Sequence, residues 1–77
     1  MSHAQGNRAA LVALGNGLRR AGDAGSAVEA MRAAIAAGDG QPTSALLAEL
    51  GLAQLAAGSR DVAIETLKQA IERDTNF

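Results

Sequence analysis

The sequence predicts an all-α fold of four helices arranged as two antiparallel helix-turn-helix hairpins, and three observations carry that prediction. The first is the makeup of the apolar fraction. Of 77 residues 48% are hydrophobic, yet 19 of these are Ala, against 9 Leu, 3 Ile, 3 Val, 2 Met and one Phe. Ala is the best helix former and adds little burial, whereas a sheet would call for β-branched and aromatic residues, so a thin core between closely packed helices is expected. The second is that apolar residues recur at helical spacing between cap and stop residues. The third is that the chain matches itself when shifted by 36 residues. Leu11 falls on Leu47, Leu14 on Leu50, Gly15 on Gly51, Ala21-Gly22 on Ala57-Gly58, Ala27 on Ala63, Met31 on Leu67 and Ala34-Ile35 on Ala70-Ile71.

The first helix is expected over 8–21. Asn7 is placed to cap it, Leu11, Leu14 and Leu18 recur at i, i+3 and i+7, and Gly22 ends it as a C-cap glycine does. Asp23 caps a second helix, expected over 24–37, whose stripe Ala27, Met31, Ala34 and Ile35 runs to the turn Gly38-Asp39-Gly40. Pro42 and Thr43-Ser44 open the third helix and Gly58 closes it. Ser59 caps the fourth, with the stripe Ala63, Ile64, Leu67, Ala70 and Ile71. Ser26 and Ser44 likewise stand at helix starts, as caps or near-caps. Residues 1–7 are expected to be a flexible leader, 8–40 the first repeat and 41–77 the second. Leu14, Met31, Leu50 and Leu67 are expected to share one interior.

Composition also narrows the function. Formal net charge is -1 and there is no Trp or Tyr, so neither a basic footprint nor a stacking platform for nucleic acid is present. No run of about 20 apolar residues occurs, so membrane insertion is not expected. The one stretch that resembles a signal peptide, Arg8 followed by Ala9-Ala10-Leu11-Val12-Ala13-Leu14, is cut short by Gly15, Asn16 and Arg19-Arg20. A cytoplasmic location is expected, with a periplasmic one open for a piece of a larger secreted protein. Six Arg against one Lys, with so much Ala, point to a GC-rich bacterial source.

No catalytic, cofactor or metal residue is expected. The chain has no Cys, and its single His, His3, stands in a polar stretch without ligands at metal spacing. Gly15-Asn16-Gly17 begins like a dinucleotide fingerprint, but Arg20 occupies the third glycine position and no strand precedes it. Gly38-Asp39-Gly40 has neither a following Gly-Lys-Ser/Thr nor spaced acidic ligands, so a helix-helix turn is the better reading.

The two halves, Leu11-x-x-Leu14-Gly15-x-x-Leu18 with Ala27-x-x-x-Met31, and Leu47-x-x-Leu50-Gly51-x-x-Gln54 with Ala63-x-x-x-Leu67, resemble the tetratricopeptide repeat. The resemblance covers about residues 8–77 and implies hairpins stacked as a short right-handed α-solenoid. Gly15 and Gly51 permit close helix approach, Ala27 and Ala63 serve the same end from the opposite helix, and larger residues fill the gaps. The sequence departs from the family in its period, two residues longer than 34, with the excess in Gly38–Pro42, and in Gln54, which takes a large apolar position. Leu55 beside it is apolar, so either the third helix is rotated slightly or its end faces another chain. A further helix is expected to cover the fourth.

The resemblance also implies the function, a non-catalytic module that binds a protein, peptide or helix on the inner face of its first and third helices. That face corresponds to Ala9, Val12, Asn16, Arg19 and Arg20, and to Ala45, Ala48, Glu49, Leu52 and Leu55. The partner-binding candidates are Val12, Asn16, Arg19, Arg20, Ala48, Leu52 and Leu55. Of the polar residues with which family members clamp acidic C-terminal peptides only Asn16 matches, since Val12 and Ala48 are apolar. Leu52 and Leu55 are either exposed binding residues or interior ones. Asp61, Glu65, Lys68, Glu72 and Arg73 read as a solvated face, with Lys68 and Glu72 at i, i+4. The alternatives are a self-assembling homodimeric scaffold and a segment of a larger protein.

Overall fold

The chain folds into helices α1 (His3–Arg20), α2 (Ala24–Ala37), α3 (Ser44–Ala56) and α4 (Arg60–Thr75), seen in a computed structural model that describes residues 3–37 and 42–75. Among these residues there is no strand. α1 packs along α2 and α3 along α4, while α3 also lies across α2 and touches α1 lightly. Two hairpins are thus stacked in a layer only 14 Å through its thinnest direction. The predicted turn Gly38-Asp39-Gly40 lies outside the described residues.

Helix ends are set by local chemistry. The α1–α2 and α3–α4 turns are built alike: Gly22 and Gly58 adopt φ of 92° and 90°, a left-handed backbone that L side chains resist. In the first turn Asp23 N–H donates to Leu18 O at 2.8 Å and Gly22 N–H to Arg19 O at 3.1 Å. In the second, Ser59 N–H donates to Gln54 O at 2.9 Å and Gly58 N–H to Leu55 O at 3.0 Å. At the helix starts Asp23 Oδ1 accepts from Ser26 N–H at 3.3 Å, Thr43 Oγ1 accepts from Leu46 N–H at 3.0 Å, and the Ser59 carbonyl accepts from Ala63 N–H. The Asp23 and Thr43 side chains each satisfy a donor the first helical turn leaves open, while the Ser59 bond is the first backbone bond of α4.

The expected cap at Asn7 is corrected: α1 begins at His3, so Asn7 lies inside it and residues 3–7 are helical. Ala4 and Gln5 are good helix formers and carry the helix through Gly6, the one poor helix former in this stretch.

The core runs along α2 and α3. Met31, Ala34, Leu46 and Leu50 form its buried cluster, with Leu11, Val12, Val28 and Ile35 packed against it. α3 lies between α2 and α4, so it buries Leu46, Leu47, Leu50, Gly51, Ala53 and Gln54 and reads apolar around most of its circumference. The glycine reading holds: a Cβ at Gly15 would stand 2.7 Å from Met31 Cε, and one at Gly51 2.7 Å from Leu67 Cγ. Ala27 and Ala63 are buried directly opposite, offering their carbonyl oxygens to these sites.

The expected interior is corrected at three places. Leu14 is 53% exposed, while its counterpart Leu50 is 7% exposed. Both have the same spacing within their helix, but only α3 has α2 packed on that side. On α4, Ile64 and Ile71 are 44% and 63% exposed, and Leu67 is only partly buried. α3 is not rotated to bring Leu55 inward: Gln54 is buried and Leu55 exposed.

Candidate functional site

Two shallow grooves are formed by the described residues. One, of about 470 Å³, runs between α1 and α3 and is lined by α1 residues Arg8, Ala9, Val12, Ala13 and Asn16 and by Thr43, Ala45, Leu46 and Glu49. It exists because the helices that face each other across it carry small side chains at Ala9, Ala13 and Ala45, and because α1 and α3 touch only lightly. The other, of about 460 Å³, lies on the α3–α4 hairpin between Ser44, Ala45 and Ala48 on α3 and Leu67, Ala70, Ile71 and Asp74 on α4.

The first groove has polar groups along one wall. Arg19 reaches across from α1 to Glu49 on α3, its terminal nitrogen 3.8 Å from Glu49 Oε1, and the same nitrogen donates to Asn16 Oδ1 at 3.5 Å. Both distances are at the long limit of their kind. Arg19 Nε and Glu49 Oε1 are buried and make no hydrogen bond among the described residues. A buried donor and a buried acceptor without hydrogen bonds are costly in a folded protein, and these two atoms are closed to a bound chain unless the Arg19 and Glu49 side chains turn outward. At the other end Arg8 is already engaged: its Nε donates to Ala34 O at 3.0 Å and a terminal nitrogen to Ile35 O at 3.4 Å. It caps the C-terminal carbonyls of α2, a role suited to its charge at the negative end of a helix.

The sequence-predicted surface is divided by the fold. Val12 and Asn16 line the α1–α3 groove, and Arg19 joins it through Glu49. Arg20 is exposed on α1 and lines neither groove. Ala48 lines the α3–α4 groove instead, because it sits one turn beyond Ala45 on the side facing α4. Leu52 and Leu55 are both exposed on α3, outside the lining of either groove. Asp61, Glu65, Lys68, Glu72 and Arg73 are exposed on α4.

Sequence reasoning missed the Arg8 cap, the buried Gln54 and the Arg19–Glu49 pair. The 36-residue offset carries a trace of the last: Glu49 stands where the first repeat has Ala13, which marks it as specific to the junction between repeats.

No helix among the described residues is long and apolar enough to cross a membrane, and these residues contain no cluster of three or more His, Asp or Glu able to hold a metal ion. No family model, curated protein or solved structure matches the chain.

Proposed function

We propose that the chain is a two-repeat tetratricopeptide-like interaction module that takes a partner peptide or helix in the groove between α1 and α3 and performs no chemistry of its own. The observation that carries this reading is the juxtaposition in one groove of an apolar floor, Val12 and Leu46 with Ala9, Ala13 and Ala45, and a polar wall at Asn16 and Glu49, with Arg19 paired to Glu49 beside it. Apolar floor and sparse polar rim suit an extended or helical segment, whose side chains fill the floor while its backbone amides and carbonyls meet Glu49 and Arg19. The tandem repeat pattern supports the same reading, since it places Gly15 and Gly51, with Met31 and Leu67, in matching contacts in both hairpins. Exposed Leu52 continues the row of Ala45 and Glu49 along α3 and extends the surface by a further turn.

Selection from a displayed peptide library tests this. Peptides that bind the chain should lose at least about tenfold in affinity when Val12 is changed to Asp, and a smaller factor for Glu49→Gln. Amide resonances of Val12, Asn16 and Ala45 should shift on titration. Peptides that bind Val12→Asp as well as the native chain would place the site elsewhere, and a library that yields no binder would remove the reading.

A further inference from the structure

The internal offset of 36 residues states what fits the exposed ends of this stack, because the junction between the two repeats is a worked example of the contact each end lacks. At that junction α3 lays Leu46 and Leu50 against the α1–α2 hairpin, and Ala53, on the same stripe of α3, is buried with them. Subtracting 36 gives Ala10, Leu14 and Gly17, a stripe at i, i+4 and i+7 on α1, and all three are exposed. The surface that receives α3 includes Val28, Met31 and Ile35, and adding 36 gives Ile64, Leu67 and Ile71 on α4, of which Ile64 and Ile71 are exposed. The α3–α4 groove lined by Ala48, Leu67, Ala70 and Ile71 is therefore the counterpart of the surface on the first hairpin that α3 already fills.

We infer that this chain associates with copies of itself head to tail, the Ala10–Leu14–Gly17 face of α1 in one copy seating in the α3–α4 groove of the next. Each end is complementary to the other because each repeats one half of an interface already built within the chain. The rim agrees independently. Within the chain Arg19 pairs with Glu49. The same relation between two copies sets Leu55 against Ala13, two exposed apolar residues in place of an ion pair. That gives a role to Leu55, which is the counterpart of Arg19 and lines neither groove of a single chain. Ala10 is smaller than Leu46, so the contact between copies is weaker than the one within, and association is expected only between roughly 10 µM and 1 mM. A contact of this kind uses two different faces and does not close on itself, so it adds copies without limit.

Sedimentation equilibrium of the full chain across that concentration range tests the inference. The mean mass should rise steadily through dimer and trimer. Leu14→Asp and Ile64→Asp each spoil one face and should each be monomeric, with unchanged helicity because both residues are exposed. Mixed one to one, the two variants retain one good face apiece and should form a dimer that grows no further. Gly17→Arg is a second block on α1: a Cβ at Gly17 meets nothing within 4 Å, so the variant folds while its long side chain obstructs stacking. A native chain that stays monomeric throughout overturns the proposal and leaves the end faces to some other helix. So does a dimer whose mass stops at two, which signals a two-fold contact, or assembly that survives both Leu14→Asp and Gly17→Arg. Peptide binding at Val12 is read separately, on the dilute monomer, because Ala13 borders both surfaces.

Discussion

A methyl group added to Gly51 would stand 2.7 Å from both Cγ and Cδ2 of Leu67, whereas one added to Gly15 would stand 2.7 Å from Met31 Cε and 3.2 Å from its Sδ. The two positions are equivalent in the repeat and differ in what must yield. Met31 meets the intruder with the tip of a flexible, unbranched chain; Leu67 meets it with its branch point. Gly→Ala gains about 1 kcal/mol of helix propensity at either site. Gly15→Ala is therefore expected to change stability by less than about 1 kcal/mol, and Gly51→Ala to lower it by about 1–2 kcal/mol after that gain. Urea denaturation of the two variants side by side checks the order, and equal effects would mean that Leu67 moves as readily as Met31.

Leu50 and Leu14 form a second matched pair. Leu50→Ala empties part of the buried cluster and should cost about 2–5 kcal/mol, enough to unfold a domain of this size in large part. Leu14→Ala removes a side chain already about half in water and should cost less than about 1 kcal/mol. Thermal melts followed by circular dichroism separate the two outcomes; a large loss for Leu14→Ala in a dilute monomer would put that residue back in the core.

Gln54 is buried with Oε1 lacking a hydrogen-bond partner among the described residues. Its counterpart in the first repeat is Leu18, and an apolar side chain of similar size removes the cost of a desolvated carbonyl. Gln54→Leu should raise stability by about 1–2 kcal/mol and Tm by roughly 5–10 °C. An unchanged or lower melting point would mean that the amide is satisfied by bound water.

The two exposed leucines of α3 give a test of a different kind. Leu52→Asp with Leu55→Asp should leave helical content intact, with Tm lowered by no more than about 5 °C, since neither side chain is interior. Loss of the helical signal would show that α3 turns to bury one of them. Changing exposed Arg20 to Glu should alter chiefly the salt dependence of partner binding, as rim charges do, whereas Arg19→Glu sets a second carboxylate against Glu49 and should also lower stability.

Gly22→Ala and Gly58→Ala probe the two turns, whose hydrogen bonds match pair for pair. With φ of 92° and 90°, each should lose about 1–2 kcal/mol despite open space around the missing Cβ. A neutral substitution at either would show that the turn relaxes to a right-handed backbone at no cost.

Helix type, number and most boundaries were legible in the sequence because they depend on neighbours within a few residues: Gly22 and Gly58 as stops, Asp23 and Thr43 at the starts, and Gly15 and Gly51 as contact points. α2 was expected over 24–37 and is found at Ala24–Ala37. Periodicity states which residues share a face and not whether another helix covers that face. Leu14 and Leu50 hold the same place in the repeat, and only the packing of α2 against α3 buries one and leaves the other in solvent. The same decision left Ile64 and Ile71 exposed, drew Gln54 inside, moved Ala48 into a different groove from Val12, and brought Arg8 to the end of α2 and Arg19 to Glu49. A local code writes each helix and its caps, while burial depends on residues of other helices, and that distance only the tertiary structure closes.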